Sequence, residues 1–160
     1  HKEPHTPGAD RLRMVELALQ GEPRFHVSDM ELRREGTTYT VDTLLALKQQ
    51  APGISLTYLV GSDTFLLFPT WRTADRVATL CDMAIVMRPG DDADHIRARQ
   101  AAFQAAYGLN STLLRGIGLD LSSSMVRSAV RGGKPIDNLV PAGVAGYIAR
   151  HNLYQRSIGG

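Results

Sequence analysis

Apolar positions along the chain recur at helical spacing in some stretches and run almost unbroken in others. Behind Thr6-Pro7, read as a cap and a first-turn proline, Leu12, Val15 and Leu19 mark one helix that Gly21-Glu22-Pro23 stops. Phe25 to Val27 is short and apolar enough for a strand. Thr40 is placed to cap a second helix carrying Val41, Leu44, Leu45 and Lys48, which ends at Pro52-Gly53. The run from Ser55 to Val60 is rich in β-branched and aromatic residues and ends at Gly61, as a buried strand feeding a loop does. Met83 to Met87 repeats that pattern before Arg88-Pro89-Gly90, and a third such strand falls within Thr112 to Ile117. Between them a helix carries Ile96, Phe103 and Tyr107 on one side. Two helices close the chain, one starting at the serine cluster with Met125, Val126, Ala129 and Val130, the other carrying Val144 and Ile148. Strands and helices alternate, which predicts an α/β fold with a parallel sheet and helices on both faces.

Length and composition narrow the class. A chain of 160 residues suits one domain with a sizeable core, and no repeat, low-complexity tract or linker divides residues 1–160. No apolar run approaches the roughly 20 residues needed to cross a bilayer, and the N-terminus lacks a signal-peptide core, so a soluble cytoplasmic protein without a membrane partner is expected. Cys81 is the only cysteine, which excludes an internal disulfide and a multi-cysteine zinc site. With 18 Lys and Arg against 16 Asp and Glu, the formal charge of +2 argues against a nucleic-acid partner, and any anion site must be local.

In a parallel α/β fold, ligands gather beyond the carboxyl ends of the strands. Three segments fall there. Leu121-Ser122-Ser123-Ser124-Met125-Val126-Arg127 puts serine hydroxyls, helix-start N–H groups and an arginine one turn in, a suitable phosphate cradle; an ordinary helix cap explains the serines equally well. Asp63, after Gly61, suits ribose hydroxyls or the cap of a short helix over Thr64 to Phe68. Arg88 suits a phosphate or a neighbouring carboxylate. Trp71, the only tryptophan, stands beside Arg72 in a loop-like setting, as a core residue or as a stacking surface for a flat ring. Thr38-Tyr39-Thr40 is first a helix start and secondarily a set of backbone donors for an anionic group. The five histidines show no metal-ligand spacing, so no metal ligand is assigned. No Gly-x-Ser-x-Gly elbow is present and Cys81 has no activating context, which disfavours covalent catalysis.

Taken in order, these pieces resemble the bacterial nicotinate-nucleotide adenylyltransferases of the nucleotidyltransferase α/β superfamily. His1-Lys2 is similar to the end of that family's Pro-Pro-His-Lys segment, with Arg11 and Met14 in the following helix. Glu31 and Tyr39-Thr40-Val41-Asp42-Thr43-Leu44 match its Glu…Ser-Tyr-Thr-x-Asp-Thr-Leu stretch, with Thr38 in the serine's place. Gly61-Ser62-Asp63, Trp71 and Arg88-Pro89-Gly90 follow at family spacing, and Leu121 to Arg127 resembles Ile-Ser-Ser-Thr-x-Ile-Arg. Val140-Pro141, Val144, Tyr147-Ile148 and Leu153-Tyr154 fit the family's end.

The resemblance implies a Rossmann-like fold and transfer of AMP from ATP to nicotinate mononucleotide, giving deamido-NAD and pyrophosphate. The nucleotide phosphate attacks the α-phosphorus in line, Mg²⁺ accompanies the triphosphate, and positioning and charge stabilisation supply the rate. By the same carry-over, Ser122, Ser123, Ser124 and Arg127 hold the triphosphate, and Gly61 and Asp63 the adenosine portion; Arg88, read from its own chemistry, is a candidate contact to the nucleotide's phosphate or the partner of a carboxylate. Lys2, next to His1 on the acceptor side, contacts a phosphate, and Lys2 and Arg127 are the charge-stabilising catalytic candidates. Trp71 stacks on the pyridine ring, beside Tyr39, and backbone N–H groups near Thr40 and Arg72 read its carboxylate. Partners are then the small molecules ATP and nicotinate mononucleotide, with a homo-oligomer left open.

The family's first strand, its Gly-Gly-x-Phe-Asp-Pro-x-His turn and its His-x-Gly-His have no counterpart here. The chain is therefore expected to lack an N-terminal strand–helix–strand unit of roughly 40–50 residues and to turn over poorly alone. A sister enzyme with another phosphorylated acceptor, such as phosphopantetheine, and a nucleotide-binding module without chemistry are the alternative readings.

Overall fold

A computed structural model describes residues 6–114 and 121–155 and turns the predicted alternation into regular elements with adjusted ends. The first periodic stretch forms α1 (Gly8–Ala18), with Pro7 and not Thr6 at the N-cap position and no side-chain cap bond. Helix α2 (Thr40–Gln50) buries Val41 and Leu44 as its periodicity predicts, but Tyr39 takes the N-cap position and Thr40 is the first helical residue. Strand β1 (Thr57–Gly61) runs directly into α3 (Ser62–Leu66), so Asp63 lies inside the first helical turn and does not cap a helix starting at Thr64. A 3-10 turn over Phe68–Thr70 leads to α4 (Ala74–Leu80), which the periodicity does not predict because so short a helix offers too few apolar repeats. Strand β2 (Asp82–Val86), helix α5 (Ala93–Tyr107) and strand β3 (Ser111–Leu114) follow, then α6 (Ser123–Arg131) and α7 (Ala142–Arg150). The end of the third expected strand, residues 115–117, lies outside the described residues.

Phe25 to Val27 forms no strand. The Phe25 N–H donates to the Glu22 carbonyl at 3.1 Å in a turn, and Phe25 is 56% exposed. So short an apolar run gains nothing from extension when no neighbouring strand receives its backbone groups.

The chain divides into two compact units, Arg34–Asp120 and the paired segments His1–Arg33 and Leu121–Gly160. In Arg34–Asp120 the strands β1, β2 and β3 pair in parallel in the order β1-β2-β3, with Gly61 beside Val86 and Ile85 beside Leu113. Strand alternation sends Val60, Met83 and Ile85 into one core with Leu44, Phe65, Phe68, Val77, Ile96 and Phe103 from the helical segments. The other face of β1 carries Leu59, which is 64% exposed. Helix α5 is closed at both ends: the Asp92 carboxylate accepts from the N–H groups of Asp94 and His95, and Gly108 takes the left-handed conformation that ends the helix.

In the other unit, Ile136, Val144 and Ile148 form a core against Met14 and Leu17 of α1 and Val126, Ala129 and Val130 of α6. The Tyr147 hydroxyl donates to Asp10 at 2.8 Å, tying α7 to α1.

Phe68 is fully buried, and its ring meets those of Trp71, Phe103 and Tyr107 at centroid distances of 5.7, 5.8 and 5.4 Å. Phe68→Ala is expected to destabilise the protein by about 3–5 kcal/mol in urea unfolding, since it removes buried area and leaves a cavity.

Candidate functional site

Parallel pairing makes β1 and β2 end on the same side, and three of the expected residues meet there. The Arg88 guanidinium lies 3.1 Å from the Asp63 carboxylate. A Cβ at Gly61 would stand 2.7 Å from Asp63 Oδ1, so a side chain there would shift the half-exposed Asp63 carboxylate. Arg88 thus pairs with a carboxylate in this structure while both side chains remain more than half exposed and open to a ligand.

A fourth group completes this cluster, and sequence reasoning did not single it out. Asp91 Oδ2 accepts hydrogen bonds from the Ser62 hydroxyl and, at 2.6 Å, from the Arg88 N–H. The Ser62 bond, ahead of the Arg88 N–H, holds the Asp91 carboxyl below its ordinary 3.8. A pKa lowered by folding stabilises the fold above that ordinary value, and the contribution is lost as pH falls through the folded pKa.

The second group of expected residues lies in the same unit. Thr38, Tyr39, Thr40, Thr70, Trp71 and Arg72 line a cleft of about 300 Å³. Trp71 is partly buried, and Tyr58 and Phe68 brace it with edge-type contacts, each at 5.7 Å between centroids. The Arg72 guanidinium sits 4.4 Å over the Tyr39 ring, a cation–π contact. Tyr39 is the N-cap residue of α2, so the N–H groups of Thr40 and Val41 begin that helix without an acceptor inside it, and Tyr39 and Thr40, at the positive end of its dipole, are among the residues that line the cleft. Thr73, at φ 51° and ψ 53°, holds the left-handed conformation that a β-branched residue rarely takes. It turns the chain immediately after Arg72.

The serine turn belongs to the other unit. Ser122 is the N-cap of α6, its hydroxyl oxygen accepting from the Met125 N–H at 3.2 Å. Arg127 donates to the Ser124 hydroxyl oxygen at 3.0 Å, one turn along the helix. Ser123 and Ser124 are exposed, and their N–H groups open the helix. The structure thus makes Ser122 a helix cap, with the exposed Ser123 and Ser124 following it in the first turn. Beside them Met14, Val126, Val140, Val144 and Ile148 contribute to an apolar cleft of about 330 Å³. His1 and Lys2 lie outside the described residues.

No group of three or more His, Cys, Asp or Glu side chains among the described residues can hold a metal ion. Burial pushes the Cys81 thiol up to about 11, which removes it as a nucleophile at neutral pH. No described helix is long and apolar enough to cross a membrane.

Ser62→Ala is expected to move the Asp91 titration midpoint upward, toward 3.8, when followed by NMR of the carboxyl carbon. A midpoint that stays in place would show that the hydroxyl does not stabilise the carboxylate.

Comparison with known proteins places this arrangement in a family. The Cytidylyltransferase-like family matches residues 1–129. The protein named "Probable nicotinate-nucleotide adenylyltransferase" in Dehalococcoides mccartyi is 38% identical over 155 residues, covering 94% of this chain and 74% of the relative. Its namesake in Thermomicrobium roseum is 38% identical over 154 residues, covering 95% and 70%. In fold, the chain resembles the Plasmodium falciparum nicotinic acid mononucleotide adenylyltransferase complexed with NaAD, with a TM-score of 0.75 at 17% identity over 99% of this chain and 80% of that one. The same enzyme complexed with APC gives a TM-score of 0.73. Matches of this identity and length lead to one conclusion: the chain belongs to the nicotinate-nucleotide adenylyltransferase family within the cytidylyltransferase-like proteins.

Proposed function

We propose that this chain serves the transfer of AMP from ATP to nicotinate mononucleotide, giving deamido-NAD and pyrophosphate. The observation that carries the reading is the Trp71 cleft. It joins a braced indole, able to stack on a flat pyridine ring, to two sources of positive potential, the N-terminus of α2 and the Arg72 guanidinium over Tyr39. A pyridine carboxylate satisfies both features at once, and an uncharged amide satisfies only the first. The relatives' names point to the same nucleotide.

In this reading the backbone N–H groups of Thr40 and Arg72 receive the carboxylate, and Trp71 and Tyr39 bound the ring. Asp63 over Gly61 accepts from ribose hydroxyls of the adenosine portion, and Arg88 offers its charge to a phosphate. Ser123 and Ser124 N–H groups, the Ser122–Ser124 hydroxyls and Arg127 hold the triphosphate at the start of α6. His1 and Lys2 take the acceptor side, with Lys2 on a phosphate. An oxygen of the nicotinate nucleotide's phosphate forms the new bond to the α-phosphorus while the bond to the β-phosphate bridge breaks, and pyrophosphate leaves with that electron pair. No enzyme nucleophile takes part, so the chain's residues act by alignment and by neutralising charge. Mg²⁺ would accompany the triphosphate of ATP and would offset its charge there.

Trp71 is the only tryptophan, so its fluorescence reports this cleft without interference. Nicotinate mononucleotide is expected to quench it, and phosphopantetheine to leave it unchanged. Trp71→Ala should weaken nicotinate mononucleotide binding by about ten- to a hundredfold in calorimetry, the range of one lost base-stacking contact. Equal quenching by phosphopantetheine, or unaltered affinity in Trp71→Ala, would overturn the reading.

A further inference from the structure

Among the described residues Ser62 is the buried polar side chain of the core, only 1% exposed. A hydroxyl in that place needs a partner within the protein. Asp91 supplies it from 29 residues away, and the same carboxylate oxygen also receives the Arg88 N–H. The chain is shaped to deliver that oxygen. Arg88-Pro89-Gly90-Asp91 closes with the Asp91 N–H donating to the Arg88 carbonyl at 3.1 Å, and Gly90 supplies φ +91°. Proline second and a left-handed glycine third are the residues of a type II turn.

One oxygen therefore joins the start of α3, just after β1, to the first residues beyond β2. What it holds in place is the backbone of Arg88, whose guanidinium pairs with Asp63. That ion pair is more than half exposed on both sides and cannot by itself fix its own geometry, because water and side-chain entropy offset most of its attraction. A tether on the Arg88 main chain does what the ion pair cannot. A carboxylate is suited to the task because both donors converge on one oxygen, and a negative acceptor strengthens each bond.

We propose that Asp91 is a positioning residue of the nucleotide site: its carboxylate latches the turn after β2 to Ser62 and thereby sets the Asp63–Arg88 pair that receives ATP. The proposal rests on the reading of Asp63 and Arg88 as ATP contacts. Asp91 itself touches no substrate in it.

The test is ATP affinity by calorimetry in the parent and four variants, with Trp71 quenching by nicotinate mononucleotide followed alongside. Asp91→Ala is expected to weaken ATP about tenfold while leaving the quenching constant near that of the parent. Asp91→Asn, which keeps an acceptor oxygen, should recover most of the loss, a rescue that also shows the fold intact. Ser62→Ala should weaken ATP on its own yet add little in the Asp91→Ala background, since the two side chains act through one bond. Unchanged ATP affinity in Asp91→Ala, additive effects of the two substitutions, or an equal loss in nicotinate mononucleotide binding would overturn the latch. A parent protein that binds nicotinate mononucleotide and no ATP would instead overturn the assignment of Asp63 and Arg88, and the latch with it.

Discussion

The parallel pairing of β1 with β2 is the constraint on which the site in Arg34–Asp120 depends. Gly61 lies beside Val86, so both strands end at the same level and on the same side of the sheet. Ser62 and Asp63 then leave one strand where Arg88 and Asp91 leave the next. Antiparallel strands would carry one of these loops to the opposite end and separate the acid from the arginine. Parallel strands in turn require a crossover, and α3, the 3-10 turn and α4 supply it. That crossover carries Trp71 and Arg72, so the connection forced by the sheet also builds the wall of the second cleft.

The core beneath that crossover gives the cleft its rigidity. Phe68 is fully buried among aromatic rings and sits directly against Trp71, whose other edge meets Tyr58 of β1. An indole held on two sides keeps its orientation without a ligand, which lowers the entropy lost on stacking. Thr73 adds a cost of about 1–3 kcal/mol in its left-handed conformation. The burial of Ala74 and Val77 immediately after it offsets that strain. In the other unit the same logic operates on α6: Val126, Ala129 and Val130 anchor one side of the helix in a core, and the serine turn at its start stays open.

Long periodic stretches were legible in the chain, and short ones were not. The helices behind Val41 and Leu44, behind Ile96 and Phe103, and at Val144 and Ile148 follow from spacing, and so do the apolar strands before Gly61 and Arg88. Helix α4 has too few repeats to declare itself. Phe25 to Val27 has strand-like residues and no strand, because pairing is a property of two segments and a local run carries only one of them. A preference for side-chain oxygens predicts the cap at Thr40, whereas the cap residue is Tyr39 and makes no side-chain bond.

Among the site residues, family spacing pointed to Gly61, Asp63, Trp71, Arg88 and the serine turn, and chemistry alone left each of them with a plain structural alternative. The sequence by itself determined what neighbours within a few residues decide: helical periodicity, the Ser122 cap, the strand-ending glycine and the turn at Pro89-Gly90. Only the tertiary structure decided which polar groups share a place. Ser62 and Asp91 are unremarkable in the chain, one beside a glycine and the other in a run of acids. They become a pair because two parallel strands end together, and a buried hydroxyl must bond to whatever acceptor the fold brings within reach.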